Sequence, residues 1–174
     1  MAQAADDTRR TRTHPAVGSR IVGEQDIVVI GSQSILGSFT DSQLPDPAIA
    51  SIEADLAFLD DPDNTKADKV DGAIGEDSQF HATFGYYGQR VSVTTAMLPA
   101  GWRDRVVVFD NADTRPGRGL CLDPRDLVVS KLAAGREKSF EFGAALLRAG
   151  LIDADVLSAR RNLGHGATST TSRR

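Results

Sequence analysis

Glu53 and Asp55 stand one residue apart inside the apolar run Ala50-Ser-Ile-Glu-Ala-Asp-Leu-Ala-Phe58. In an extended strand, side chains alternate between faces with a period of two. Ile52, Ala54, Leu56 and Phe58 then share one face, and the two acids share the other. Neighbouring carboxylates repel each other, and acids are poor strand formers. A compensating charge is expected, and hard Mg²⁺ is bound by one or two carboxylates together with substrate phosphates. A solvent-facing acidic strand is the plain alternative, since the half-buried strand pattern has the same form.

The segment Ile27-Val-Val-Ile-Gly-Ser32 precedes this strand by about twenty residues. Its unbroken β-branched run reads as a buried strand. Gln33 to Phe39 then reads as a helix start with Ser32 as N-cap. Free backbone N–H groups at such a start, with the positive end of the helix dipole, favour an anion. Gly31 lets a phosphate approach the backbone, and Ser32 adds a hydroxyl donor. A helix-capping turn with no ligand is the alternative.

Gly31-Ser32 followed by Glu53-x-Asp55 resembles the nucleotidyltransferase superfamily that includes DNA polymerase β, kanamycin nucleotidyltransferase and the small bacterial MNT-type proteins. Ser51-Ile-Glu-Ala-Asp-Leu56, Phe80-His-x-Thr-Phe-Gly-Tyr-Tyr87, Leu98-Pro-x-Gly-Trp102 and Asp126-Leu-x-x-Ser-Lys-Leu-x-Ala-Gly-Arg136 are similar to segments of a bacterial nucleotidyltransferase-like group related to the AbiEii and MenT toxins. The resemblance covers roughly Ile21 to Leu151. It implies transfer of a nucleoside monophosphate from a nucleoside triphosphate to a hydroxyl acceptor, with Mg²⁺ or Mn²⁺ on Glu53 and Asp55. It further implies an RNA acceptor such as a tRNA 3′ end, with a hydroxyl on a partner protein as the other acceptor, a toxin role and a cognate antitoxin partner.

The 174 residues suit one domain with one core. A formal net charge of −4 does not mark a nucleic-acid binder, although a local basic patch would suffice. The single cysteine, Cys121, excludes an internal disulfide and is expected to pack as a small apolar residue. No apolar run approaches the roughly twenty residues of a membrane span, and no secretory signal is visible. A cytoplasmic location without membrane contact is therefore expected.

Residues 1–18 and 164–174 are polar and dotted with arginine, and read as disordered arms; His165 lies in the second. Between them, Asp60-Asp-Pro-Asp-Asn64 reads as a turn and Lys66 to Ile74 as a helix. Tyr86 to Ala96, Arg105 to Phe109 and Leu120 to Leu122 read as strands. Asp123 and Pro124 form a helix start, with the helix continuing through Lys131. A second helix runs from Lys138 to Ala149 and stops at Gly150, and a third begins at Asp153. The expected fold is α+β: a small mixed sheet over 19–122 and a helical portion over 123–163, in one domain.

Two-metal transfer uses carboxylates to hold ions about 4 Å apart. In the superfamily a third acid sits on a later strand, but the strand expected over Gln89 to Ala96 has none. Asp71, Glu76 and Asp110 are the substitutes on offer, each otherwise a solvated loop or helix acid. One metal with a basic residue in place of the second, or a dead site, are the other options. Lys131 and Arg136 match the basic residues that AbiEii-type proteins place near the nucleotide phosphates; Ser139 replaces an Asp of that pattern, and Glu141 is nearby. Lysine offers a compact charge and arginine a two-oxygen clamp. A helix-end cluster in water is the alternative. His81 reads as a base or a packed residue, Tyr86 and Tyr87 as base-stacking or packing residues, and Trp102 as a loop anchor. A degenerate nucleotide- or partner-binding module and a small-molecule, antibiotic-type transferase remain alternatives to the enzyme.

Overall fold

A computed structural model describes residues 15–94 and 96–162. Five strands form one mixed sheet: β1 (Asp26–Val29), β2 (Glu53–Ala57), β3 (Tyr87–Arg90), β4 (Val107–Phe109) and β5 (Arg118–Cys121). Their spatial order is β3-β2-β1-β5-β4. β1 pairs antiparallel with β2 and parallel with β5, while β3 runs parallel to β2 and β4 antiparallel to β5. The antiparallel β1–β2 step matters most for the site. It places the end of β1, and Gly31 after it, beside the middle of β2, where Ile30 N–H donates to the Asp55 carbonyl at 3.0 Å.

Each face of the sheet is covered. On one face Ile27, Val29, Ala54, Leu56 and Cys121 pack under α1 (15–22) and α3 (Thr65–Ile74). On the other, Val28, Ile30, Ala57 and Leu122 pack under α5 (Pro124–Ala133), α6 (Glu137–Arg148) and α7 (Ala154–Arg161). Two short helices complete the order, α2 (Asp46–Ile49) and α4 (Gln79–Phe84). The α+β architecture with a helical C-terminal portion is the expected one. Asp123 accepts from Arg125 N–H at the start of α5, with Pro124 in its first turn, and Asp153 caps α7 in the same way.

Four local expectations are corrected. The segment after Gly31 is a 3-10 helix (Ser32–Gly37) whose N-cap is Gly31, so Ser32 does not cap it. The strand read over Tyr86 to Ala96 stops at Arg90. Past it, the Ser92 hydroxyl contacts Thr94 Oγ1 at 2.7 Å and accepts from Thr94 N–H at 3.2 Å, a local turn that competes with the ladder. Ile52 precedes β2 and is 42% exposed rather than sharing the apolar face of Ala54. Residues 15–18 are helical rather than part of a disordered arm, because Ala16 and Val17 pack on the core. The rest of both arms, His165 included, lies outside the described residues.

Candidate active site

Gly31 and Asp55 interlock. A Cβ at Gly31 would lie 1.7 Å from Asp55 Oδ2 and 2.7 Å from its Cγ, so the carboxyl group fills the space a side chain would take. Gly31 has an ordinary extended backbone, φ −72 and ψ −164, so close approach rather than unusual dihedrals demands glycine here. The corner is tied to β2 a second time: the buried Gln33 side chain donates to the Ser51 carbonyl, two residues before Glu53. Ser34 N–H donates to the Gly31 carbonyl at 2.9 Å, and Ser34 Oγ accepts from Leu122 N–H at 2.6 Å. The first bond closes the opening turn, and the second holds the 3-10 helix onto the end of β5. Ser32 opens that helix, beside the Gly31–Asp55 contact.

Glu53 and Asp55 are half-buried, and the residues between and after them, Ala54 and Leu56, are buried on the opposite face. The two acids therefore share one face, the one covered by α5. Burial pushes the Asp55 carboxyl up to about 7, the Glu53 charge and a hydrogen bond to Glu53 push the same way, and Lys131 and Arg136 pull against them. Tyr87 stands level with Glu53 on β3, and its hydroxyl donates to Glu53 Oε2 at 3.1 Å. Burial and then Glu53 hold that phenol up at about 12, so it stays a donor. The His81 ring lies 4.8 Å from the Tyr87 ring, and its Nδ1 accepts from Asp77 N–H at 3.1 Å. That nitrogen is engaged, and His81 packs beside Tyr87. Tyr86 is buried against Phe80.

Lys131 sits in the last turn of α5 with its ammonium 4.8 Å from the centroid of the Phe142 ring. Burial lowers its pKa below the usual range and Asp55 opposes this; Arg136 adds to the lowering and Glu53 opposes it. Lys131 thus acts on both acids and Arg136 on Asp55, although the two basic residues follow the acids by some eighty residues. The buried Asp126 positions this helix. It accepts from Arg105 Nε at 2.8 Å and Arg160 Nη1 at 2.9 Å, joining α5 to the Trp102–Arg105 3-10 helix and to α7. Sequence reading did not find this ion-pair hub, nor the bonds made by Gln33 and Tyr87. Each depends on contacts between distant segments, and only the Asp126 position within a helix start was visible beforehand.

The substitute acids do not complete a three-acid set. Among the described residues no three His, Cys, Asp or Glu side chains group closely enough to hold an ion. Asp71 accepts from Arg90 N–H at 3.2 Å, and Asp110 pairs with Arg115 at 3.7 Å. Glu76 is near enough to bear on the Tyr87 hydroxyl. Ser139 is buried and Glu141 is exposed on α6. The donor set nevertheless fits one hard dication. Two mutually repelling carboxyl groups sit in a cradle that only a glycine leaves open, with two basic side chains on hand for an incoming polyanion. A cavity of about 540 Å³ lined by Met97, Val129, Leu132, Phe140 and Leu157 lies elsewhere and includes none of these groups.

No curated protein and no solved structure gives a significant match to the chain. One family model does match, over residues 18–164, and so takes in β1, the Gly31 corner, both acids and both basic residues. Its description is a nucleotidyltransferase of unknown function, DUF6036. The strand–Gly-Ser–acid-x-acid arrangement accords with that description, and the chain belongs to this nucleotidyltransferase family.

Proposed function

We propose that the protein transfers a nucleoside monophosphate from a nucleoside triphosphate to a hydroxyl acceptor, with Mg²⁺ or Mn²⁺ as cofactor. The observation that carries this reading is the convergence of Asp55 with Gly31, Glu53, Lys131 and Arg136 on one face of the sheet. Glu53 and Asp55 would hold the cation, which supplies charge neutralisation for the phosphates. Lys131 and Arg136 bind and orient the triphosphate by charge-assisted hydrogen bonds. The backbone at Gly31-Ser32 admits a phosphate close to the chain. The Tyr87 hydroxyl fixes the Glu53 carboxylate in place. The acceptor oxygen forms a bond to the α-phosphorus, the bond to the β-phosphate oxygen breaks, and pyrophosphate leaves while the acceptor proton passes to solvent. Positioning and charge stabilisation supply the acceleration.

The resemblance to AbiEii and MenT proteins favours a tRNA end as acceptor, a toxin role and a neutralising partner protein. The test is incubation with each α-labelled triphosphate, Mg²⁺ or Mn²⁺, and total tRNA. Label should appear in RNA with the native chain and vanish with Asp55→Ala; equal behaviour of the two chains would refute the activity.

The lack of a third acid in the described site favours a second reading, a degenerate transferase that only binds a nucleotide or a partner. Calorimetry separates them: nucleotide binding indifferent to Mg²⁺ supports the second.

A further inference from the structure

β3 lies beside β2 in parallel register, with Tyr87 level with Glu53 and Gln89 level with Asp55. Side chains level across adjacent strands point to the same face, and the Tyr87 bond to Glu53 shows which face that is. The row that carries the acids therefore continues onto β3 as a phenol and an amide. Neither is an anionic donor. Mg²⁺ and Mn²⁺ favour oxygen sets rich in carboxylate and phosphate. A pair of such ions about 4 Å apart needs bridging anions and further donors for each ion. Two carboxylates and a triphosphate meet that demand for one ion.

The opposite wall already carries fixed positive charge. Lys131 and Arg136 both bear on Asp55, and Lys131 on Glu53 as well. Lys131 belongs to none of the ion pairs among the described residues. Its ammonium rests against Phe142, leaving it available to a phosphate. The geometry points to a one-cation site, an inference that rests on the nucleotidyltransferase reading. Glu53 and Asp55 take a single divalent cation with the triphosphate, Lys131 supplies the charge a second ion would bring, and Gln89 stands where that ion would need a carboxylate.

The test counts cations with Mn²⁺ and non-hydrolysable α,β-methylene triphosphates of all four bases, by equilibrium dialysis and electron paramagnetic resonance. The native chain should retain one Mn²⁺ per bound nucleotide, with the six-line spectrum of an isolated ion. Gln89→Glu adds an acid at an exposed position, so the fold should survive, as circular dichroism would verify. This variant should retain two Mn²⁺ per nucleotide, with the broadened spectrum of a coupled pair. Two ions on the native chain would overturn the inference while leaving the transferase reading intact. A Gln89→Glu chain still at one ion would overturn the part given to Gln89. Nucleotide and Mn²⁺ both failing to bind would bring down the transferase reading and this inference together.

Discussion

Asp55→Asn should make the metal-free protein more stable at alkaline pH, although it removes the residue on which the proposed chemistry depends. Burial and the neighbouring Glu53 raise the Asp55 carboxyl from an ordinary 3.8 to about 7 in the folded chain. The folded chain therefore keeps this proton to a higher pH than the unfolded chain does. Well below pH 3.8 both states are protonated and the group has no effect on stability. As pH rises from there, stability declines, and the whole penalty is present above about 7. At about 1.4 kcal/mol per pH unit, the gap amounts to about 4 kcal/mol. Asparagine stays neutral, keeps the shape and retains an N–H for Glu53, so the variant escapes the decline. Urea unfolding in EDTA, followed by the single tryptophan Trp102, measures it. The gap should be smallest near about pH 3 and reach about 4 kcal/mol at pH 8. Mg²⁺ should stabilise only the native chain at pH 8, because a bound ion stabilises the state that holds it. A variant no more stable than the native chain at pH 8, or a gap that ignores pH, would refute the reasoning.

Gly31→Ala puts a methyl 1.7 Å from Asp55 Oδ2, so the carboxyl must turn away. Transfer activity should fall by roughly 100-fold, with a loss of about 1–3 kcal/mol in unfolding free energy. Tyr87→Phe removes only the bond to Glu53; Mn²⁺ affinity should drop about 10-fold while the melting temperature stays put. Asp126→Ala strands Arg105 and Arg160 around a buried vacancy. Denaturant titration should show a loss of about 3 kcal/mol.

How much of this was visible in the sequence depends on the range of the forces involved. The shared face of Glu53 and Asp55 could be read from period two, because Ala54 and Leu56 mark the buried face within the same five residues. The start of α5 could be read from Asp123-Pro124, since capping is a matter of adjacent residues. The segment after Gly31 is a 3-10 helix rather than an α-helix start, and there Ser34 turns its hydroxyl to Leu122, eighty-eight positions away. The end of β3 was hidden because Val91 and Val93 alternate like strand residues while Ser92 and Thr94 close a turn. Helix α1 was missed because its small residues gain their burial only from a distant partner; Pro15 lies against Gly117. Nothing local says that α5 covers the acidic face rather than the other one. That is settled at long range, where Leu127 and Val128 of α5 pack in one core cluster with Val28, Ala57 and Leu122.

The pairing of β2 with β1 has one more consequence. If β2 slipped by a single residue, every side chain on it would change sides. Both carboxyl groups would be driven into the oily layer beneath α3, and Ala54 and Leu56 would take their places under α5. A half-formed version of this centre is therefore hard to populate. Chains that melt in one sharp transition should all present the acids to Lys131, and misregistered ones should aggregate rather than linger as soluble, inactive copies.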